Sequence, residues 1–400
     1  MKKRWAPRPA PFLHLKEADN PFHLPESVNL LLARRGYTGE ELNNFLNPSM
    51  DRLSPWSSIG GAEGAADRIS SAIQKGEKIL VHGDFDADGI TATALVYSAV
   101  DSLGGDIDYF IPDRFQDGYG LGPSSIEACR EKKVHLLITV DCGVSASAQV
   151  GQLKDMGIDV VVTDHHQPGS ELPPADHIVD PSLDGDVPWS QLAGAGVAWM
   201  VMRGVFRLMD GDDDHLQRLL QLVAAGTVSD VVSLKDDNRI LVSLGLDEMR
   251  KRPFPGIAAL ADSASRDIRK LGSEDLAFYM GPRLNACGRI GHARDAVALL
   301  LAEDFQMAKG LMGVVERYNR RRRQLDRDVL NSAMVSADEY SDSGCLVLAG
   351  EGWHRGVIGI AASRLVSRFG VPSVMVALEE GIGYGSARSV PGIPIYSILR

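Results

Sequence analysis

Four cysteines are all that 400 residues contain. Cys129, Cys142, Cys287 and Cys345 stand far apart with no Cys-x-x-Cys pair, which argues against a zinc knuckle or a dithiol redox motif. Reduced, mostly buried thiols are expected. Long apolar runs are missing too: no stretch approaches the ~20 residues of a membrane-spanning helix. The leading MKKRWAPRPAPF lacks the apolar segment that a secretory signal places after its positive charges. A cytoplasmic protein without membrane contact is therefore expected. Basic residues are outnumbered, 42 against 53 acidic, for a net charge of −11. That balance argues against a broadly basic nucleic-acid binder and leaves room for a local basic site.

What remains is the composition of a globular protein, long enough for two cores. One stretch organises the rest, KILVHGDFDADGITATALVYSAV, Lys78 to Val100. It reads as strand, tight turn and helix. Residues of like parity in an extended segment project the same way, so His82, Asp84, Asp86 and Asp88 can point together from the strand's carboxyl end. Carboxylates crowded so closely keep their protons unless cations sit among them. The pattern predicts a metal site.

Strand and helix patterns then alternate. IDYFI, HLLITVD and DVVVTDHH read as strands, with helices near Ser124–Lys132 and Ser145–Met156, which implies βαβ units and a parallel sheet. Ligands of such sheets gather at the carboxyl ends of the strands. Asp141 falls at one such end and Asp164, His165 and His166 at the next. From about Ala193 the pattern turns helical, and GTVSD places Asp230 in a stretch that reads as buried, where a carboxylate needs a partner. GPRLNACGRIG reads as a Gly-punctuated loop offering Arg283, Asn285 and Arg289 as an anion clamp. Asp304 to about Glu339 carries long helical periodicity, and its cluster Arg317, Arg320, Arg321, Arg322, Arg323 and Arg327, interleaved with Glu316, Asp326 and Asp328, reads as a solvated, salt-bridged linker helix. A second α/β unit begins at Cys345: CLVLAG a strand, GVIGIAASRLVSRFG a helix, VPSVMVAL a strand, and GYGSARSVPG a Gly-rich turn suited to phosphate.

Taken together, HGDFDADG, VDCG, TDHH and GTVSD resemble, in order and spacing, the motifs of the DHH phosphoesterase superfamily. RLNACGRIG, WHRGVIGIAASRLV and GSARSVPG narrow the resemblance to its RecJ branch of bacterial single-strand-specific 5′ to 3′ DNA exonucleases. The resemblance implies an α/β fold in which a parallel-sheet DHH domain is joined by a long helix to a second, smaller α/β domain of the DHHA1 type. Its boundaries are an amino-terminal cap over 1–60, the DHH domain over 61–302, the connecting helix over 303–340 and an incomplete second domain over 341–400. It also implies two divalent cations, Mn²⁺ with Mg²⁺ as substitute, one held by His82, Asp86 and Asp141 and the other by Asp88, Asp141, His165 and Asp230. Asp84 and Asp164 would support those ligands. His166 would face the scissile phosphate, helped by Arg289, and Arg283, Asn285, His354, Arg355, Ser386 and Arg388 would hold substrate.

The implied activity is two-metal hydrolysis of single-stranded DNA to mononucleotides in repair and recombination. Single-stranded DNA, a helicase and a single-strand-binding protein are the implied partners of a monomer. The family continues past GSARSVPG into a Gly-Gly-His loop and an OB-fold, whereas this sequence ends at Arg400, so a truncated chain is expected. Two rival readings are a DHH hydrolase of short oligonucleotides or cyclic dinucleotides, and a DNA-binding scaffold without metal.

Overall fold

Residues 22–339 and 344–399 are described by the computed structural model. The first 21 residues of the expected cap, the boundary expected at 340–341 and Arg400 lie outside the described residues. Helices α1 (Glu26–Arg34) and α2 (Gly39–Leu46) precede α3 (Ala62–Lys75), which leads into β1 (Ile79–Gly83). The chain then alternates through α4 (Ala87–Ser102), β2 (Ile107–Phe110), α5 (Pro123–Glu131), β3 (Leu136–Val140), α6 (Ser147–Asp155), β4 (Asp159–Thr163) and β5 (His177–Val179). All five strands pair in parallel in the order β2-β1-β3-β4-β5.

The apolar runs ILV, LLITV and VVV are buried on both faces, as helix-covered parallel strands must be. Val81 and Ile138 face the core under α3, α4 and α7, while Leu80, Leu137 and Val160 face the one under α5 and α6. From β1 the chain steps outward to β2 and then crosses back to β3 on the other side. A crevice opens at that reversal, at the strands' carboxyl ends.

A helical layer follows: α7 (Gly194–Met209), α8 (Asp213–Arg218), α9 (Leu220–Asp230), α10 (Asp236–Lys251) and α11 (Pro255–Ser263). The single turn α12 (Ser273–Asp275) runs through a π-helical segment, Leu276–Met280, into α13 (Gly281–Ile290). After α14 (Ala293–Leu300) comes the 35-residue α15 (Phe305–Glu339). Ala308, Met312 and Val315 of α15 belong to the first core, and Val329, Ala333 and Ala337 to the second. The second lobe pairs β6 (Leu346–Glu351) in parallel with β7 (Ser373–Glu379), and β7 antiparallel with β8 (Ile382–Arg388). Helix α16 (Arg355–Phe369) covers that sheet, and α17 (Ile395–Leu399) follows it. The architecture is α/β, a parallel-sheet domain carried by a long helix into a smaller α/β domain.

Two local expectations are corrected. GPRLNACGRIG is a helix, because Pro282 occupies its first turn, where a missing N–H is harmless, and Leu284, Ala286 and Cys287 bury one face. GYGSAR is strand β8, because pairing with β7 satisfies the backbone that its small residues leave open. The long helix carries ion pairs, as its interleaved charges led one to expect: Glu316 binds Arg283, and Asp326 reaches Arg364 of α16 at 2.8 Å. Cys129, Cys142 and Cys287 are buried thiols, and Cys345 is an exposed one. Among the described residues no helix is long and apolar enough to cross a membrane.

Candidate metal centre

Acids collect where β1, β3 and β4 end. Asp86 caps α4, its Oδ1 accepting the N–H groups of Asp88 and Gly89 at 2.9 and 3.1 Å, which leaves the second oxygen free. The β3–β4 and β4–β5 ladders each continue one residue further, Asp141 N donating to Thr163 O and Asp164 N to Val179 O. Asp141 takes a positive φ of 60° there, an uncommon conformation that aspartate tolerates. Asp88 is fully desolvated and accepts the first amides of α7, Gly194 N at 2.6 Å and Ala195 N at 3.1 Å. Asp230 closes α9, and the next residue, Val231, is held at φ 65° although β-branched, with its side chain in solvent. Such backbone strain clusters at functional sites.

Three groups of potential ligand atoms result, each within 4.8 Å: Asp84, Asp86 and Asp141; Asp88, His165 and Asp230; and Asp141, His165 and His166. Asp141 and His165 link them. Asp141 Oδ1 and His165 Nε2 lie 3.0 Å apart, yet they do not align as donor and acceptor, and among the described residues neither has a hydrogen-bond partner. Asp84 Oδ1 is likewise buried without a partner. Buried polar atoms are rarely left so. Oxygen and imidazole donors converging without bonding one another fit a pair of divalent cations.

The electrostatics agree. Burial, with Asp86 alongside, pushes Asp84 up to about 8. Burial also drives Asp88 and Asp141 well above the usual carboxylate range, reinforced by neighbouring acids, and holds His165 below the ordinary histidine value. Without positive charge among them these carboxylates retain protons. His166 behaves oppositely: its 2.8 Å hydrogen bond to Asp164 raises it to about 9, so it is a cation at neutral pH. Asp164 also accepts the backbone N–H groups of Val144, His165 and His166, which fixes the turn.

His82 departs from expectation. It lies in none of the three groups, because its Nε2 meets Ser125 Oγ at 2.9 Å and its Nδ1 faces Cys142 Sγ at 3.6 Å. Burial lowers it to about 4, so the ring is neutral. Asp84 stands with Asp86 and Asp141 in the place expected for His82. Arg283 departs too: it is spent on Glu316 at 2.9 Å and on the carbonyls of Tyr279 and Ser263. Asn285 accepts Ala87 N at 3.0 Å, clamping α13 onto the acidic turn. A β-carbon at Gly288 would lie 2.0 Å from Phe85 O, so only glycine allows that approach.

Arg289, one turn beyond Asn285 on the same face, reaches the crevice, where burial and the nearby Arg114 lower it to about 10. Arg114 feels Asp84 and Asp86, and both arginines are close enough to Arg388 to be repelled by it. Arg388 Nη1 lies 3.3 Å from Ser386 Oγ on β8. His354 caps α16 through Gly356 N at 3.0 Å, and its ring meets Phe115 edge-on at 5.5 Å. Arg355 stacks over Phe115 and Tyr384 and pairs with Glu379 at 3.0 Å, so it joins the lobes instead of facing the acids.

Sequence reasoning missed Arg114, Tyr119 and Gly194. Tyr119 Oη donates to Asp141 O at 3.3 Å and lies 3.2 Å from His166 Nδ1. The available signal was the loop DRFQDGYGLGP, which follows a strand whose carboxyl end faces the same crevice.

Fold and site define the DHH class, and residues 78–227 match the model of the DHH family, N-terminal domain. The chain is 36% identical over 404 residues to the single-stranded-DNA-specific exonuclease RecJ of Bacillus subtilis (strain 168), covering 100% of this chain and 50% of that protein. The RecJ of Escherichia coli (strain K12) is 39% identical, with 96% of this chain and 69% of that one covered. A crystal structure of exonuclease RecJ bound to manganese superposes with a TM-score of 0.77 at 34% identity, over 86% of this chain and 85% of that one. The chain belongs to the RecJ family. It spans between half and about 70% of the curated relatives it matches.

Proposed function

We propose that the chain hydrolyses single-stranded DNA from its 5′ end to mononucleotides, using two divalent cations. The observation that carries this is the pair Asp141 Oδ1 and His165 Nε2, buried, unpartnered and 3.0 Å apart between two clusters of acids. Asp84, Asp86 and Asp141 would hold one cation, and Asp88, Asp141, His165 and Asp230 the other, with Mn²⁺ suited to mixed oxygen and imidazole donors and Mg²⁺ as substitute. When bound, the cations activate a water for in-line attack and neutralise charge on the phosphoryl oxygens.

The chain's own groups do the rest. Asp164 keeps His166 protonated and oriented as a charge-assisted donor to a phosphate oxygen. Gly194 and Ala195 hold Asp88 in place through their amides. Arg114, Arg289 and Arg388 would bind a terminal 5′-phosphate, with Ser386 beside them, and so fix its distance from the acids. Such a constellation measures off one nucleotide at a time. A crevice between two lobes joined by side-chain contacts would admit one strand and exclude a duplex.

The division we propose is a cap over 1–60, the catalytic domain over 61–302, the connecting helix over 303–340 and an incomplete second domain over 341–400, with the separate cores in support. A monomer working in the cytoplasm with a helicase and a single-strand-binding protein, in repair and recombination, completes the proposal. Manganese-dependent digestion of 5′-labelled and 3′-labelled single strands, with a blunt duplex as control, tests it. Release of labelled mononucleotide from the 5′ end alone is expected; degradation of the duplex, or activity undiminished by a chelator, would overturn it.

A further inference from the structure

A second basic site lies away from the crevice, between the amino-terminal helices and the start of α10. Two adjoining cavities of about 590 and 520 Å³ share Arg35, Tyr37, Phe45, Lys235 and Arg239; Arg34 lines one and Arg52 the other. The Tyr37 and Phe45 rings pack with centroids 4.3 Å apart. Arg239 lies over Phe45 at 3.5 Å, fixed by its 2.7 Å bond to Phe45 O. Arg52 is held by the carbonyls of Asn43 and Asn47. These two cations are positioned by backbone. Arg34, Arg35 and Lys235 are exposed, and among the described residues their side chains make no hydrogen bond or ion pair.

Cations left without partners in a chain of net charge −11 need an explanation. Ordinary solvation explains each alone. It does not explain three beside two fixed arginines around one groove lined by Tyr37 and Phe45, with Glu41, Asp236 and Asp237 as the opposing acids among the described residues and Asp237 turned to Ser54 N at 3.3 Å. The groove also connects to the metal centre. Five residues lead from Asp230 to Lys235, a span of at most about 18 Å when extended. Asn238 pins that segment by donating to Ser233 O at 3.0 Å, and a cavity of about 400 Å³ lined by His165, Gln191 and Val232 lies along it.

We propose that this groove binds the phosphate backbone of the single strand a few nucleotides away from the bond being cut, a contact made by the cap and α10 and not by the second lobe. The inference rests on the proposed action on single-stranded DNA. Guanidinium groups and a lysine spread along a groove suit successive phosphates, and Tyr37, packed on Phe45 and only partly buried, is an aromatic side chain beside them for a base. An acidic peptide would supply charge but nothing to stack.

The test is the triple variant Arg34→Ala, Arg35→Ala, Lys235→Ala in the whole chain, which removes no internal bond. Binding of a long oligothymidylate is followed by fluorescence anisotropy against salt, with a chelator to prevent hydrolysis. Manganese-dependent hydrolysis of a trinucleotide, which leaves only two nucleotides beyond the bond cut, is measured in parallel. The slope of log affinity against log salt should fall by about 2, roughly 0.7 for each lost phosphate contact to a single strand. Trinucleotide hydrolysis should not change. An unchanged slope, in a wild type that still degrades the long strand, would overturn the groove and leave the metal centre standing. Equal loss on the trinucleotide would also overturn it, as would wild-type binding of an oligoglutamate but of no oligothymidylate. A wild type that neither binds nor cuts single strands would overturn both readings.

Discussion

Gly194→Ala isolates the geometry of the centre from the stability of the fold. Gly194 opens α7, and a β-carbon there would lie 2.6 Å from Asp141 Cβ and 2.7 Å from its Oδ1. Carbon atoms in ordinary contact sit about 3.5–4.0 Å apart, so one of the two must retreat by about 1 Å. Rotating the Asp141 side chain gives no relief, because the closest atom is fixed to the backbone. The same movement stretches the 2.6 Å bond from Gly194 N to Asp88, so the two acid clusters are disturbed together.

Alanine is otherwise the better helix former by about 1 kcal/mol, which partly offsets an overpacking cost of about 1–3 kcal/mol. Misplacing reacting groups by about 1 Å costs on the order of 100-fold in rate. Gly194→Ala should therefore remain folded and lose about 100-fold in kcat. Steady-state release of mononucleotide from a 5′-labelled strand at saturating manganese, with thermal unfolding alongside, measures both. Wild-type turnover in the folded variant would refute the reasoning.

Asp141→Asn should abolish cleavage and weaken manganese binding in calorimetric titration while leaving the fold intact, since shape is kept and only charge is lost. Arg283→Ala should lower stability by about 2 kcal/mol through the lost charge-assisted bond, Glu316 keeping Ser263 Oγ and Arg323, and leave KM unchanged, as denaturant unfolding and kinetics would show. Arg114→Ala should raise KM for 5′-phosphorylated strands more than for 5′-hydroxyl strands, measured by competition between the two. In metal-free protein Asp84 holds its proton up to about pH 8, so the folded state binds more protons than the unfolded one and stability falls as pH rises from the ordinary carboxylate range toward 8. Manganese should flatten that dependence, which melting curves at about pH 5 and about pH 8, with and without chelator, would check.

Strand-end acids were legible because parity and apolar runs both report on the backbone. Asp86, Asp88, Asp141 and His165 follow from a strand that stops and a turn that begins. His82 shows the limit of that signal: alternation says which side of a strand a residue shares, not what waits there. The neighbours that capture its ring, Ser125 and Cys142, come from 43 and 60 residues away. Arg283 and Arg289 look equivalent in the sequence, yet a helix turns them to different sides, one toward Glu316 and one toward the crevice. Reading that segment as a loop hid the difference. Arg114 was open to sequence reading only as a member of the loop after β2, and Gly194 was invisible because its role depends on elements packed together only after folding.

The long α15 has a mechanical meaning. At 1.5 Å per residue its 35 residues make a rod of about 52 Å, rooted at one end in each core. No flexible joint interrupts it, so the gap between the lobes can change only as the rod bows or as α16 slides along it. Half its length is a lever of about 26 Å, and a bow of about 5° at the middle moves the far end by about 2 Å. On the proposed function that would be enough to shift Arg388 on or off a phosphate, and the gauge for the strand would be as stiff as one helix.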